Sequence, residues 1–210
     1  MNLFRLDASI LPAASASAEI ADLTEAEWAA AHPGGRVVRR HLGTDPLPSD
    51  AWALATTAGF TAEADRTPGQ REALDLAASL AAELQDADAV ILAVPLYNYG
   101  VSQHFKAWAD LVISGGGAGT PLLKGTPTVL VTTLGGGYGP GAPREGWDHS
   151  TPYLQRLVAD LWEADLTLIK RELTLAATTP AMEGLRGLAE EQRARALDTA
   201  RDAGRALAVE

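Results

Sequence analysis

Ala89-Val90-Ile91-Leu92-Ala93-Val94-Pro95-Leu96-Tyr97-Asn98-Tyr99-Gly100 is the stretch whose reading decides the fold. Six consecutive apolar residues, 89–94, run into a proline, an aromatic-amide-aromatic turn and a glycine. An unbroken aliphatic and β-branched run predicts a strand buried on both faces, as in a parallel sheet covered by helices. Pro95 ends it, because proline cannot donate a ladder hydrogen bond and holds Val94 extended. The turn then lies beyond the carboxyl end of a central strand, where open α/β sheets bind ligands. Tyr97 and Tyr99, flanking Asn98, could embrace a flat heteroaromatic ring there. A plain core strand with a surface turn is the alternative.

Outward from that strand, apolar patterning alternates between strand and helix. Strands are predicted over residues 2–7, 36–42, 88–94, 128–133 and 166–175. Helices are predicted over 17–31, 68–84, 102–114, 150–162 and 182–209, with a shorter one around 50–57. Thr67 before Pro68 is a start signal, and Pro33-Gly34-Gly35 a stop. The strand over 2–7 is less apolar than a central strand usually is, and the basic strand over 36–42 is expected nearer an edge. Five strands with intervening helices predict an α/β three-layer sandwich around a five-stranded parallel sheet with right-handed crossovers. At 210 residues one domain spanning 1–210 is expected.

Composition narrows the function. Cysteine is absent, which excludes disulfides, thiolate metal ligands and a cysteine nucleophile. Seventeen basic against 27 acidic side chains give a net charge of −10, which disfavours nucleic acid and anionic membrane as partners. Residues 1–7 lack the basic and apolar regions of a signal peptide, and no apolar stretch approaches the roughly 20 residues that span a bilayer. A cytoplasmic protein is expected.

Parallel topology sends three notable loops to one rim. The first, residues 9–17, offers Ser9, Ser15 and Ser17 with the free amides of a helix start around Ala16, a cradle for phosphate. It holds no Lys or Arg, and no P-loop is present, which argues against nucleotide hydrolysis. Ordinary serine capping is the alternative. The second is Leu96 to Tyr99. The third, Thr133-Leu134-Gly135-Gly136-Gly137-Tyr138, has glycines that let a ligand approach the backbone, or that merely make the loop flexible. Together they offer a phosphate seat, a ring clamp and an open backbone edge, which is the division of flavin mononucleotide into phosphate, tail and ring.

These residues carry a resemblance. Ser9-Ile10-Leu11 with Ser15-Ala16-Ser17, Pro95-Leu96-Tyr97-Asn98-Tyr99, the pattern of Lys106 with Asp110-Leu111-Val112, Gly135-Gly136 and Thr151-Pro152-Tyr153-Leu154 occur in one order over nearly the whole chain. The chain resembles the FMN-dependent NADH azoreductases, also described as NADH:quinone oxidoreductases, of the flavodoxin-like fold. The resemblance implies tightly bound FMN, NADH or NADPH as co-substrate, a quinone or azo compound as acceptor, ping-pong kinetics and a homodimer. It assigns Ser9, Ser15, Ala16 and Ser17 to the phosphate and ribityl chain, and Leu96, Tyr97, Asn98 and Tyr99 to the isoalloxazine ring. Thr133, Leu134, Gly135 and Gly136 fall to the pyrimidine edge. Three departures stand out. Leu134 replaces the family's common arginine and Thr133 its serine; Tyr138 stands where a histidine is often found; and the connection over 114–125 is short and lacks covering aromatics.

Other candidates are weaker. His32, His41, His104 and His149 lack metal-ligand spacing. Asp148-His149-Ser150 suggests a hydrolase, yet adjacent residues cannot form a triad and no nucleophile elbow is present. Phe105, Trp108 and Val112 form an apolar helical stripe expected in the core, or failing that at a twofold interface. A flavin-binding electron carrier with little turnover is the alternative function.

Overall fold

The computed structural model describes residues 1–207. Its five strands, all parallel, are β1 (Asn2–Asp7), β2 (Arg36–His41), β3 (Ala89–Ala93), β4 (Pro127–Thr133) and β5 (Asp165–Arg171), ordered β2-β1-β3-β4-β5. The helices are α1 (Ala16–Ala31), α2 (Ala51–Ala58), α3 (Pro68–Gln85), α4 (Gln103–Gly116), α5 (Ser150–Gln155) and α6 (Arg186–Ala206). Every residue of β3 is buried at the centre of the sheet, as its unbroken apolar run requires.

The two sheet faces bury separate layers. Phe4, Leu6, Val90, Leu92 and Leu130 pack with residues of α2, α3, α4 and α5. Leu3, Ile91, Val129, Val131 and Ile169 pack with α1 and α6. Close helix approaches rest on glycine: a Cβ on Gly115 would collide with the Ala77 carbonyl of α3, and one on Gly204 with the Thr24 carbonyl of α1.

The strand β1, less apolar than a central strand usually is, lies inside the sheet between β2 and β3 with its charges paired. Arg5 Nε donates to Asp7 Oδ2 at 2.8 Å, and Arg5 Nη1 to Asp22 Oδ1 at 2.6 Å and Glu25 Oε2 at 3.2 Å. Burial opposes the Arg5 charge, but the bonds to Asp7 and Asp22 win, and its pKa is raised. The half-buried strand β2 is an edge, as expected.

Three boundaries differ from the sequence reading. β5 stops at Arg171 rather than continuing to 175, because Leu173 turns to φ 60° and the chain folds back on the third loop. The helix predicted over 150–162 is α-helical only to Gln155; residues Arg156–Leu161 form a π-helical turn. The terminal helix starts at Arg186, behind a 3-10 segment at Pro180–Leu185, and the predicted end at Val209 lies outside the described residues. The stripe of α4 is core, as expected: Phe105, Trp108 and Val112 are all fully buried, and the alternative of an outward interface patch is not realised by them. Trp108 packs edge-on to Trp162 at 5.8 Å and against Phe105 at 5.5 Å.

Among the described residues no helix is long and apolar enough to cross a membrane, and no cluster of His, Cys, Asp or Glu could hold a metal ion.

Candidate functional site

The loops after β1, β3 and β4 meet at the carboxyl rim of the sheet, and named contacts join them. In the first loop, Ser9 is buried, and its Oγ accepts from the Leu11 amide at 3.2 Å. Ser15 caps α1: its Oγ accepts from the Ala18 amide at 3.1 Å and lies 3.1 Å from Ser17 Oγ. The amides of Ala16 and Ser17 have no acceptor among the described residues, as the first turn of a helix leaves them.

The second loop is a tight turn. Tyr97 and Gly100 exchange both backbone hydrogen bonds at 2.9 Å, and Asn98 (φ 47°) and Tyr99 (φ 71°) between them adopt left-handed backbone. Positive φ at both central residues is the signature of a type I′ turn. For residues other than glycine it costs energy, and such strain gathers at ligand sites. The two tyrosines do not face each other. The Tyr97 hydroxyl accepts from the Ile10 amide at 3.1 Å and lies 3.3 Å from Ser9 Oγ, tying the second loop to the first. Tyr99 turns to the third loop, edge-on to Tyr138 at 6.5 Å and Trp147 at 5.5 Å, and its carbonyl accepts from the His149 amide at 3.0 Å.

The third loop is held from behind. Thr133 accepts from the Leu96 amide at 2.9 Å, continuing the sheet past β3. Leu134 is fully buried; its amide donates to the Arg171 carbonyl, and its own carbonyl accepts from Thr174. The carbonyls of Gly135 and Gly136 accept from Leu175 and Leu173 at 3.1 Å each. Their amides, with that of Gly137, have no acceptor among the described residues. The loop therefore presents a row of free N–H donors.

Carboxylates from outside that row fix its far end. Glu172 Oε2 accepts from the amides of Tyr138 at 2.9 Å and Gly139 at 3.3 Å. Asp148 Oδ1 accepts from the amides of Ser150 and Thr151, and Thr151 Oγ1 donates to Oδ2 at 2.7 Å. Lys170 Nζ bridges both, 3.0 Å from Asp148 and 3.2 Å from Glu172. Burial alone would raise the Asp148 pKa, yet the amide and hydroxyl of Thr151 with Lys170 hold it below the usual carboxylate range. Burial likewise opposes the Lys170 charge, but its two carboxylate partners raise its pKa. Asp148 thus holds the first two amides of α5 and anchors the loop, its carboxylate oxygens taken by the Ser150 and Thr151 amides, the Thr151 hydroxyl and Lys170.

A cleft of about 610 Å³ opens between the first two loops, lined by Ile10, Tyr97, Asn98, Gly100, Val101 and His104 among others. That volume suits a small-molecule site, commonly about 300–1,000 Å³. Near the first turn of α1, Glu19 is paired with Arg171 at 2.9 Å and with Arg193. The Arg193 hydrogen bond prevails over burial and lowers the Glu19 pKa. The cation missing from the first loop's sequence is therefore not supplied directly, since these arginines are turned to Glu19.

All the sequence-predicted residues lie on this rim, although Leu134 offers it neither side chain nor free backbone. Sequence reasoning missed Glu172 and Lys170, which hold the third loop, Trp147 beside Tyr99, and Arg144, whose Nη1 would lie 3.2 Å from a Cβ on Gly136. A tryptophan in an otherwise polar, glycine-rich loop was the one available signal.

Comparison with known proteins agrees with this architecture. A family model described as flavodoxin-like fold matches residues 1–200. A Streptomyces avermitilis protein named FMN-dependent NADH:quinone oxidoreductase is 40% identical over 210 residues, covering 98% of this chain and 96% of that protein. One of the same name from a Parafrankia species is 37% identical over 206 residues, covering 96% and 97%. Among solved structures, an azoreductase from Bacillus anthracis superposes with a TM-score of 0.76 at 21% identity, covering 98% of this chain and 99% of that one, a likeness of fold.

Proposed function

The chain belongs to the family of FMN-dependent NADH:quinone oxidoreductases of flavodoxin-like fold, and from that membership we propose that its three rim loops hold FMN and present it to NADH and to a quinone or azo acceptor. The observation that carries the residue assignment is the row of unpaired amides at Gly135, Gly136 and Gly137, opposite a helix start with unpaired amides at Ala16 and Ser17. Donors at both ends fit a ligand with a phosphate at one end and an electron-rich heterocycle edge at the other.

Ser15, Ala16 and Ser17 hold the phosphate through two hydroxyls and the α1 amides, and Ser9 stands beside the ribityl chain. Leu96, Tyr97, Asn98 and Tyr99 line the ring. Gly135 and Gly136 donate to its pyrimidine edge, where negative charge grows on reduction, while Thr133 and Leu134 fix the height of that row from within the sheet. When bound, the flavin supplies the two-electron chemistry by which NADH, a proton and a quinone become NAD⁺ and a quinol. No side chain of the rim needs to act as acid or base. The chain's part is to bind, orient and tune. A cytoplasmic setting, where NADH is regenerated, suits this chemistry.

The assembly we infer is a homodimer. With the α4 stripe buried, support comes from a groove of about 440 Å³ between α4 and the α5 segment, where Ile113, Tyr153 and Leu161 lie between the ion pairs Lys106–Asp110 and Arg156–Asp160. Two balanced pairs flanking an apolar floor suit an isologous contact.

Purified protein tests the function. It is expected to carry flavin absorbance that bleaches with NADH and returns with a quinone. Colourless protein that cannot be loaded with FMN overturns the reading, and tight FMN with negligible turnover supports the carrier instead.

A further inference from the structure

Leu134 brings no charge to the glycine row, but a cation reaches it from another part of the loop. A Cβ placed on Gly136 would lie 3.2 Å from Arg144 Nη1, so the guanidinium stands over the backbone of the free-amide row. Glu145, the adjacent carboxylate, turns away to accept from the Gly141 amide at 2.8 Å, and no carboxylate among the described residues pairs with Arg144. The Arg144 carbonyl accepts from the Trp147 amide at 3.1 Å, which couples the cation to the aromatic group beyond it. There Tyr99 and Trp147, 38% and 51% exposed, meet at an interplanar angle of 78°. Two rings at nearly a right angle form a corner, in which a flat molecule can stack on one wall and present its edge to the other. Tyr138, only 8% exposed, backs Tyr99, and the His149 amide holds the Tyr99 carbonyl, so the corner is set before any ligand arrives.

We propose that Arg144 with the Tyr99–Trp147 corner is the acceptor-selecting element of this site, favouring planar quinones that carry an anionic substituent. The unpaired guanidinium takes the anion, and the corner takes the rings. Anion and ring plane are read by different residues, so they separate in experiment.

The inference rests on the FMN reading above, and FMN loading, followed by visible absorbance, is measured first. The probes are a naphthoquinone and its sulfonate, each titrated against the intrinsic fluorescence of FMN-loaded protein and each assayed for KM. Arg144→Gln is expected to weaken the sulfonate at least roughly tenfold and the neutral quinone less than about twofold, with FMN affinity unchanged. In the parent protein, sulfonate affinity is expected to fall as salt rises while the neutral quinone holds. Trp147→Ala is expected to weaken both quinones, Trp147→Phe to restore most of the loss, and Trp52→Phe, at an exposed indole on α2, to leave both unchanged. Equal effects of Arg144→Gln on the two quinones overturn the inference, as does loss of FMN in that variant, which would put the cation on the cofactor. Protein that takes up no FMN overturns the proposed function and this inference with it.

Discussion

The phenol oxygen of Tyr97 lies 3.1 Å from the Ile10 amide and 3.3 Å from Ser9 Oγ. One hydroxyl therefore joins the loop that turns beyond β3 to the loop that leads into α1. The ring has a mechanical role as well, because the spacing between the proposed phosphate seat and the proposed ring wall depends on this tie. Tyr97→Phe keeps the ring and removes the tie. A neutral hydrogen bond is worth about 1 kcal/mol, so FMN affinity is expected to fall roughly fivefold, with global stability changed by no more than a similar amount. Flavin titration and denaturant melts check the two halves. An FMN affinity equal to the parent's would show that the tie does not shape the site.

Ser15 serves two ends at once. It caps α1 through the Ala18 amide and stands 3.1 Å from Ser17 Oγ in the proposed phosphate seat. Replacing both serines by alanine is expected to cost about 0.5–2 kcal/mol of stability through the lost cap. Each hydroxyl bond to a charged phosphate adds about 1.5–3 kcal/mol, so FMN affinity should drop at least roughly tenfold while riboflavin affinity hardly moves. Comparing the two flavins separates capping from phosphate binding. Equal losses for both would remove the phosphate from this loop.

Asp148 and Lys170 give the third loop a pH window. Asp148 has a folded pKa below its unfolded value of about 3.9, so its contribution is present above that pH and lost as pH falls through the folded value. Lys170 has a folded pKa above its unfolded value of about 10.4, so its contribution is complete below that pH and lost as pH rises through the folded value. The coupling between them, read from an Asp148→Asn and Lys170→Met double-mutant cycle, is expected to stay constant from about pH 5 to 9 and to shrink by about pH 3. Coupling that varies across the neutral range would contradict this.

The residues that reveal the fold are those whose signal is local. The run from Ala89 to Val94 is a buried strand because nothing polar interrupts it, and Pro95 closes it by its own chemistry. Thr67 and Pro68 likewise start a helix without outside help, and the capping box between Thr67 and Gln70 is formed. Features set by tertiary pairing were not legible. β1 reads as less apolar than a central strand usually is because Arg5 and Asp7 are charged, and α1, bringing Asp22 and Glu25 over them, pairs those charges inside the sheet. β5 looked four residues longer because Leu173 and Leu175 are apolar, whereas their amides serve the carbonyls of Gly136 and Gly135. The same holds at the rim. The glycines and serines that offer free donors announce themselves in sequence, but Glu172, which holds Tyr138 and Gly139, lies more than thirty residues away on another element. Arg144 reaches the glycine row by a loop path that no spacing rule describes.

The proposed homodimer can be tested at the groove rather than at the buried α4 stripe. Ile113, Tyr153 and Leu161 are only partly covered by their own chain, and Lys106–Asp110 and Arg156–Asp160 leave no excess charge across the groove. Burying a charge there without a partner is costly, whereas in a monomer the same charge meets water. Leu161→Asp is therefore expected to convert a dimer into a monomer in sedimentation while melting within about 1 kcal/mol of the parent monomer's stability, since its site is already part-exposed. Parent protein that sediments as a monomer at micromolar concentration defeats the assembly outright. A Leu161→Asp variant that stays dimeric moves the twofold axis to another face. If the dimer also covers the rim, the monomeric variant should lose FMN more readily on dilution than the parent; equal retention would separate the cofactor site from the interface.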